Sequence, residues 1–205
     1  APWVPAVLCV LLLLALNLVT VKLFGEMEFW FALIKIIAIC ALIITGAGLV
    51  MWGFRSPSGH VASLSNLWND GGMFPMGIGG FFAGFQIAVF AFVGIELVGT
   101  TAAETADPQR NLPKAINSIP VRILIFYVLA LIAIMAVTPW RQVVADKSPF
   151  VELFVLAGVP AAASLINFVV LTSATSSANS GIFSTSRMLY GLAEERNAPR
   201  GFAKL

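Results

Sequence analysis

Five long apolar stretches constrain the fold of this chain more than any other feature of its sequence. They cover residues 3–24, 29–54, 78–103, 122–140 and 161–193. A helix needs about 20 apolar residues to cross the roughly 30 Å hydrocarbon core of a bilayer. Only 11% of the 205 residues are charged, against roughly 25% in a soluble domain. The sequence therefore predicts an all-α membrane protein with five transmembrane helices.

The connections between these stretches indicate an orientation. Basic residues prefer the cytoplasmic side, and one set of connections holds eight of the twelve Lys and Arg residues: Lys22, Arg110, Lys114, Arg122, Arg187, Arg196, Arg200 and Lys204. This places the start of the chain outside and its end inside. The apolar segment 149–158 is too short to span and predicts an external interfacial or re-entrant helix. Because the chain opens and closes beside a span, we expect it to be an internal portion of a longer membrane protein.

Several function classes find no support in the composition. A net charge of +2, without a basic patch interleaved with aromatics, does not indicate a nucleic-acid surface. The sole histidine and two cysteines do not form a metal-ligand pattern, and no phosphate-binding glycine loop is present. We expect no metal and no cofactor. A membrane enzyme that uses serines of the last stretch is disfavoured, because His60 lies on the opposite side of the membrane.

The third stretch carries a glycine and an acid close to its middle. Gly94 costs about 1 kcal/mol against alanine in a helix interior, and Glu96, at the centre of a bilayer, costs about 2.5 kcal/mol or more. Together they predict an opened helix that faces a polar ligand, as in the broken helices of secondary transporters. The candidate substrate-binding residues are Phe90, Ala91, Phe92, Val93, Gly94 and Glu96. Packing roles stay open for the two phenylalanines and for Glu96, which is also a candidate gate or proton relay.

Two further features are candidates for coupling transport to an ion. Lys35, inside the second stretch, shares a helix face with Glu28 and lies about 10 Å from it along the axis. Its amine can snorkel to the cytoplasmic interface or lie buried against the last stretch, charging and discharging during transport. The segment 172–186, TSATSSANSGIFSTS, is dense in hydroxyl groups, and one face of it is expected to line a wet or ion-bearing cavity. Ser176 and Ser177 are the preferred candidates, with Ser173 and Ser180 left open.

Three motifs give the chain a family resemblance. They are VKLFGEMEFWFALIKIIAI (21–39), FAFVGIELVGTTAAETADPQRNLPKAIN (90–117) and SRMLYGLAEERNAPR (186–200). All three resemble amino-acid permeases of the amino acid–polyamine–organocation superfamily, and the likeness extends over essentially the whole chain. The stretch 148–181 is most similar to the bacterial D-serine/D-alanine/glycine permeases.

The resemblance implies a LeuT-like fold of inverted repeats, in which the five spans are the fourth to eighth helices. It implies a substrate site between the first and sixth helices, with the segment around Ala91–Gly94 supplying half of the site and the first helix absent from this chain. Lys35 matches a fifth-helix lysine that some proton-coupled relatives place where sodium-coupled relatives hold an ion. Ser177 would lie near that point.

The function implied is import of glycine, D-alanine and D-serine across the bacterial inner membrane by proton symport and alternating access. The partners would be the amino acid, protons, the lipid bilayer and the remaining helices of the parent protein. A permease for aromatic, basic or GABA-like amino acids, and a fragment that does not transport, are the alternatives.

Overall fold

The computed structural model describes residues 3–19, 21–95, 98–99, 105–144 and 146–203. Within those ranges the chain is helical, as predicted, and the only β-type pairing is an isolated bridge between Arg55 and Val61. The helices are α1 (Trp3–Val19), α2 (Val21–Met51), α3 (Gly77–Phe90), α4 (Pro108–Ile123), α5 (Ala130–Val137), α6 (Pro149–Leu156) and α7 (Ala162–Glu194). Short 3₁₀ turns occur at Leu64–Leu67, Trp140–Gln142 and Arg200–Phe202.

Two helices in the described ranges are long and apolar enough to cross a membrane. One covers Phe24–Met51, 28 residues, and the other covers Pro108–Val137, 30 residues. The second consists of α4, a π-helical segment at Leu124–Leu129 and α5, which follow one another without a break. It ends before Pro139, consistent with the extended backbone that proline imposes on the residue before it. Shorter apolar helices cover Trp3–Ala15 and Gly77–Phe90.

Two of these helices begin well before the stretches predicted from hydropathy. The predicted span 29–54 overlaps α2, which begins at Val21 and ends at Met51, and the predicted span 122–140 overlaps a helix that starts at Pro108. Proline fits the first position of a helix, because that position has no intrahelical use for an N–H group. The carbonyl of Asp107 accepts from the N–H groups of Arg110 and Asn111, at 3.1 and 3.0 Å. Local hydrogen bonding thus extends the helix beyond the apolar residues.

The contacts divide the chain into two units, which are described separately. The first unit contains residues 1–35, 96–115 and 170–205, and the second contains 36–95 and 116–169. In the first unit, α7 buries a stripe with helical spacing, made of Thr172, Ser176, Asn179 and Phe183. Residues at these intervals lie on one helix face. Three of the four are polar, so this unit needs polar partners for the stripe.

The second unit has an apolar core. Its buried members come from α2, α5, α6, α7 and the connection after α2: Leu42, Ala62, Ala130, Ile134, Val137, Leu153, Phe154, Ala162 and Ile166. Small residues allow α2 and α5 to pack closely. A Cβ atom at position 46, where the chain has glycine, would lie only 2.8 Å from the Cβ atom of Ala133. Such close approach through glycine and alanine is typical of membrane helices, where dispersion contacts replace the hydrophobic effect.

The connection between α2 and α3 is held against the end of α5. The Ala136 carbonyl accepts from the Ser63 N–H at 2.9 Å and from the Asn66 side chain at 2.8 Å. The Trp140 indole donates to the Asp70 carbonyl at 3.2 Å. The last carbonyls of a helix have no intrahelical partners, and the connection supplies donors to one of them.

Candidate functional site

A hydrogen-bonded cluster of polar side chains joins α1, α2 and α7 in the first unit. The two Glu28 carboxylate oxygens have separate donors: Oε2 accepts from Ser176 Oγ at 2.7 Å, and Oε1 accepts from Asn179 Nδ2 at 2.8 Å. Lys35 Nζ donates to the same Ser176 oxygen at 3.0 Å. Asn17 Nδ2 donates to Asn179 Oδ1 at 2.7 Å. We call these five residues the polar cluster.

Helix geometry explains how the polar cluster forms. Glu28 and Lys35 are seven residues apart, or two turns of α2, and Ser176 and Asn179 are three apart on the buried stripe of α7. Residues at these spacings lie on one helix face, so each helix presents a pair of polar groups to the other. Next to the polar cluster, four residues before Glu28, Phe24 of α2 stacks on Phe183 of α7 with ring centroids 4.1 Å apart. The aromatic pair sets the register of the two helices next to the hydrogen bonds.

Two side chains of the polar cluster are buried, so its polar groups need partners within the protein. Ser176 is 3% exposed and Asn179 is 1% exposed, and an ionised group away from water requires opposite charge and hydrogen bonds. The Lys35 amine and the Glu28 carboxylate supply opposite charges, and the Ser176 hydroxyl lies between them as acceptor from one and donor to the other. The hydroxyl thus connects the amine and the carboxylate in one hydrogen-bonded chain.

The structure separates the hydroxyl candidates of α7. Ser176 contacts Lys35 directly, whereas Ser177 is exposed in this chain. Ser173 and Ser180, which the sequence left open, are half-buried. Thr175 and Thr185 donate to carbonyls of their own helix four residues earlier, at 2.9 and 2.6 Å. Ser176 is therefore the hydroxyl that links α7 to Lys35.

The predicted opening of the third stretch lies in the second unit. Helix α3 ends at Phe90, and Ala91 to Gly94 form turns. Gly94 has a backbone φ of +98°. Residues with a Cβ atom adopt this angle only with strain. The N–H groups of Val93 and Ile95 reach their carbonyl acceptors at 3.4 and 3.5 Å, at or beyond the long end of normal hydrogen bonds. The α-helix thus ends where the sequence predicts an opening, and turns with hydrogen bonds between residues three apart follow it, while Glu96 lies outside the described residues.

Tyr127 holds the opened segment. Its hydroxyl donates to the Ala91 carbonyl at 2.9 Å, and its ring stacks on Phe92 at 6.1 Å between centroids, with planes 8° apart. Tyr127 lies in the π-helical segment Leu124–Leu129, and π turns often occur at functional sites. Phe90 and Val93 are exposed, with 77% and 66% of their surface accessible.

Four residues of these two sites are absent from the predicted set: Asn17, Glu28, Asn179 and Tyr127. The spacing of Glu28 from Lys35 signals a shared face, but the partner on α7 is almost 150 residues away in sequence. Nothing in the segment LIFYVL indicates a π turn or a bond to Ala91. Among the residues that the structure describes, no group of three or more His, Cys, Asp or Glu side chains is placed to hold a metal ion.

Comparison with known proteins gives a consistent result. The amino acid permease family model matches residues 1–205. The chain is 71% identical over 203 residues to the D-serine/D-alanine/glycine transporter of Escherichia coli K12, covering 99% of this chain and 43% of that protein. It is 61% identical to the amino-acid permease AapA of Bacillus subtilis, covering 99% and 44%. It is 48% identical to a probable threonine/serine transporter, YbxG, of the same organism, covering 99% and 44%.

The chain thus spans less than half the length of the curated relatives it matches. No solved structure matches it.

Proposed function

The chain belongs to the amino acid permease family, and we propose that its parent protein imports glycine, D-alanine and D-serine into bacteria. The family and its relatives are transporters rather than enzymes, and they confirm the predicted residence in a bacterial membrane. The observation that carries the substrate assignment is 71% identity, over 99% of the chain, to a D-serine/D-alanine/glycine transporter. The lower identity of 48% to a probable threonine/serine transporter favours the first set of substrates.

The proposed mechanism is proton symport by alternating access. In it the chain supplies five spans, equivalent to the fourth to eighth helices of a LeuT-like inverted-repeat fold. The substrate binds at the opened segment Phe90–Gly94, beside Glu96. Lys35 takes up and releases the coupled proton, with Ser176 as its partner and Ser177 close by on α7.

The geometry of the opened segment supports binding of an amino acid. The C-terminal end of a helix exposes carbonyl groups and carries partial negative charge, which suits an ammonium group. Here α3 ends at Phe90, and the carbonyl of Ala91 already accepts a hydrogen bond from a side chain, that of Tyr127. The substrate carboxylate would be bound by the first helix of the parent.

The geometry of Lys35 supports a role in coupling rather than snorkelling. Its amine donates to Ser176 on α7, at 3.0 Å, so it has a partner on another helix of the same unit. A basic group held inside a membrane protein by hydroxyl and carboxylate partners is typical of proton pathways.

Uptake of labelled glycine and D-alanine by the intact parent in proteoliposomes, with and without an inward proton gradient, tests the proposal. We expect uptake to rise with the gradient and to be competed by D-serine, but not by phenylalanine or lysine. Transport of phenylalanine or lysine instead would overturn the substrate assignment, and uptake indifferent to the gradient would overturn the symport. In the Lys35→Ala variant, we expect proton-driven accumulation to be lost while substrate binding is partly kept.

A further inference from the structure

Two side chains of opposite charge bond the same hydroxyl group in the polar cluster. Ser176 Oγ accepts from Lys35 Nζ at 3.0 Å and donates to Glu28 Oε2 at 2.7 Å. A hydroxyl has one proton to donate, so this pair of bonds gives it a single direction, from the amine to the carboxylate. The three groups form a continuous hydrogen-bonded chain through which a proton can pass without water.

We propose that Ser176 relays a proton from Lys35 to Glu28, and that Glu28 releases this proton towards the cytoplasm. The inference rests on the proposed proton symport and adds its release step. The Lys35 ammonium gives a proton to the Ser176 oxygen while the hydroxyl proton of Ser176 passes to Glu28 Oε2. The products are a neutral amine, an intact hydroxyl and a carboxylic acid. The net charge of the three groups is zero before and after, so the step creates no uncompensated charge in the membrane.

The position of Glu28 gives the relay its direction. Glu28 lies seven residues closer than Lys35 to the start of α2, about 10 Å along the axis. The positive-inside rule assigns that end of α2 to the cytoplasm. A proton that moves from Lys35 to Glu28 therefore moves in the direction of import.

Among the side chains that the structure describes in the polar cluster, Lys35 is the cation that can give a proton to Glu28. The other carboxylate oxygen accepts from the neutral amide of Asn179 at 2.8 Å, and α1 contributes to the cluster the neutral amide of Asn17. The Arg187 guanidinium on α7 lies over the Phe183 ring at 5.1 Å, about 12 Å along the helix from Asn179. The other charged side chains that the structure describes in this unit are exposed: Glu26, Asp107, Arg110, Lys114, Glu194, Glu195, Arg196 and Arg200.

The test uses the intact parent protein in proteoliposomes and separates proton movement from substrate movement. The first measurement is exchange of labelled for unlabelled glycine at equal pH on both sides, which needs no net release of a proton. The second is glycine-coupled acidification of the vesicle interior, followed with a trapped pH dye. The variants are Ser176→Ala, which removes the relay hydroxyl, Ser176→Thr, which keeps it, and Glu28→Gln, which removes the final acceptor.

We expect Ser176→Ala and Glu28→Gln to slow coupled acidification about a hundredfold, the low end of what a positioned proton-transfer group contributes. Exchange should fall far less than acidification, unfolding of the purified variants in detergent shows whether they are folded, and Ser176→Thr should restore acidification. Wild-type acidification that survives in both Ser176→Ala and Glu28→Gln would overturn the relay and leave the symport standing. Equal loss of exchange and acidification would assign the cluster a structural role and also overturn the relay. Wild type that exchanges glycine without acidification would overturn the symport together with the relay.

Discussion

Asn179 offers the most quantitative test of the polar cluster. It is 1% exposed, donates to the Glu28 carboxylate at 2.8 Å and accepts from Asn17 at 2.7 Å. In water-soluble proteins a hydrogen bond to a charged group contributes about 1.5–3 kcal/mol and a neutral one about 0.5–1.5 kcal/mol. Between membrane helices the measured average is only about 0.6 kcal/mol, because the separated helices find other partners. The Asn179→Ala substitution removes one bond of each kind. We therefore expect it to lower the free energy of unfolding by about 1–3 kcal/mol, a range between the membrane and the water-soluble figures for two bonds.

A double-mutant cycle isolates the Glu28 part of that loss. Reversible unfolding of the purified parent protein, by titration of a mild detergent with a denaturing one, would be measured for Glu28→Ala, Asn179→Ala and the double variant. Because the two side chains share one bond, their effects should not add, and we expect a coupling energy of about 1 kcal/mol. Thr175→Ala is the matched control on α7, because this hydroxyl bonds only the Leu171 carbonyl of its own helix among the described contacts.

Additive losses of unfolding free energy in Glu28→Ala and Asn179→Ala would refute a bond between the two side chains. A coupling energy within about 0.3 kcal/mol of zero, the usual scatter for independent sites, would mean that Glu28 and Asn179 do not bond in the parent protein. A loss for Thr175→Ala as large as that for Asn179→Ala would show that any polar deletion on α7 has the same effect.

The remaining predictions concern the second unit. Gly94→Ala should lower the free energy of unfolding by about 1–2 kcal/mol, because its φ of +98° is strained for a residue with a Cβ atom, and it should raise the KM for glycine; an unchanged KM and stability would contradict the opened backbone. Tyr127→Phe keeps the ring on Phe92 but removes the donor to the Ala91 carbonyl, so KM should change about fivefold, as about 1 kcal/mol implies, while exchange at saturating glycine is kept; no change in KM would separate Tyr127 from the site. Gly46→Leu should destabilise the protein by about 1–3 kcal/mol, measured by the same unfolding titration, because even a Cβ atom there lies 2.8 Å from Ala133; Gly48→Leu, which has open space, is its control, and equal losses would refute the close packing.

Hydropathy was enough to predict where most of the helices begin, but not where α2 and α4 begin. Apolar length identifies α2, yet the helix starts at Val21 rather than at residue 29, so that Glu28 lies inside it. Its carboxylate has two donors on α7, and these bonds allow the helix to carry a charge among buried groups. A partner this distant in sequence cannot be read from local composition.

The opened segment was predictable because its cause is local. Glycine at position 94 is both the signal in the sequence and the residue that adopts the positive φ. Tyr127 has no comparable signal. Its hydroxyl meets Ala91 only because the two segments lie side by side, and the π turn that contains it has ordinary apolar residues. A single glycine therefore predicts the local backbone conformation. The hydrogen bond between Tyr127 and Ala91 depends on tertiary packing and cannot be predicted from local sequence.

The buried stripe of α7 explains why Ser176, among many hydroxyl residues of this helix, bonds to α2. Thr172, Ser176, Asn179 and Phe183 recur at helical intervals and are all buried, while Ser177, one residue on, is turned by about 100° and is exposed. Hydroxyl density alone ranks these residues equally. What distinguishes Ser176 is that its face meets the face of α2 on which Glu28 and Lys35 lie two turns apart. The coupling that we propose therefore involves a three-group unit of amine, hydroxyl and carboxylate, rather than a lysine acting alone.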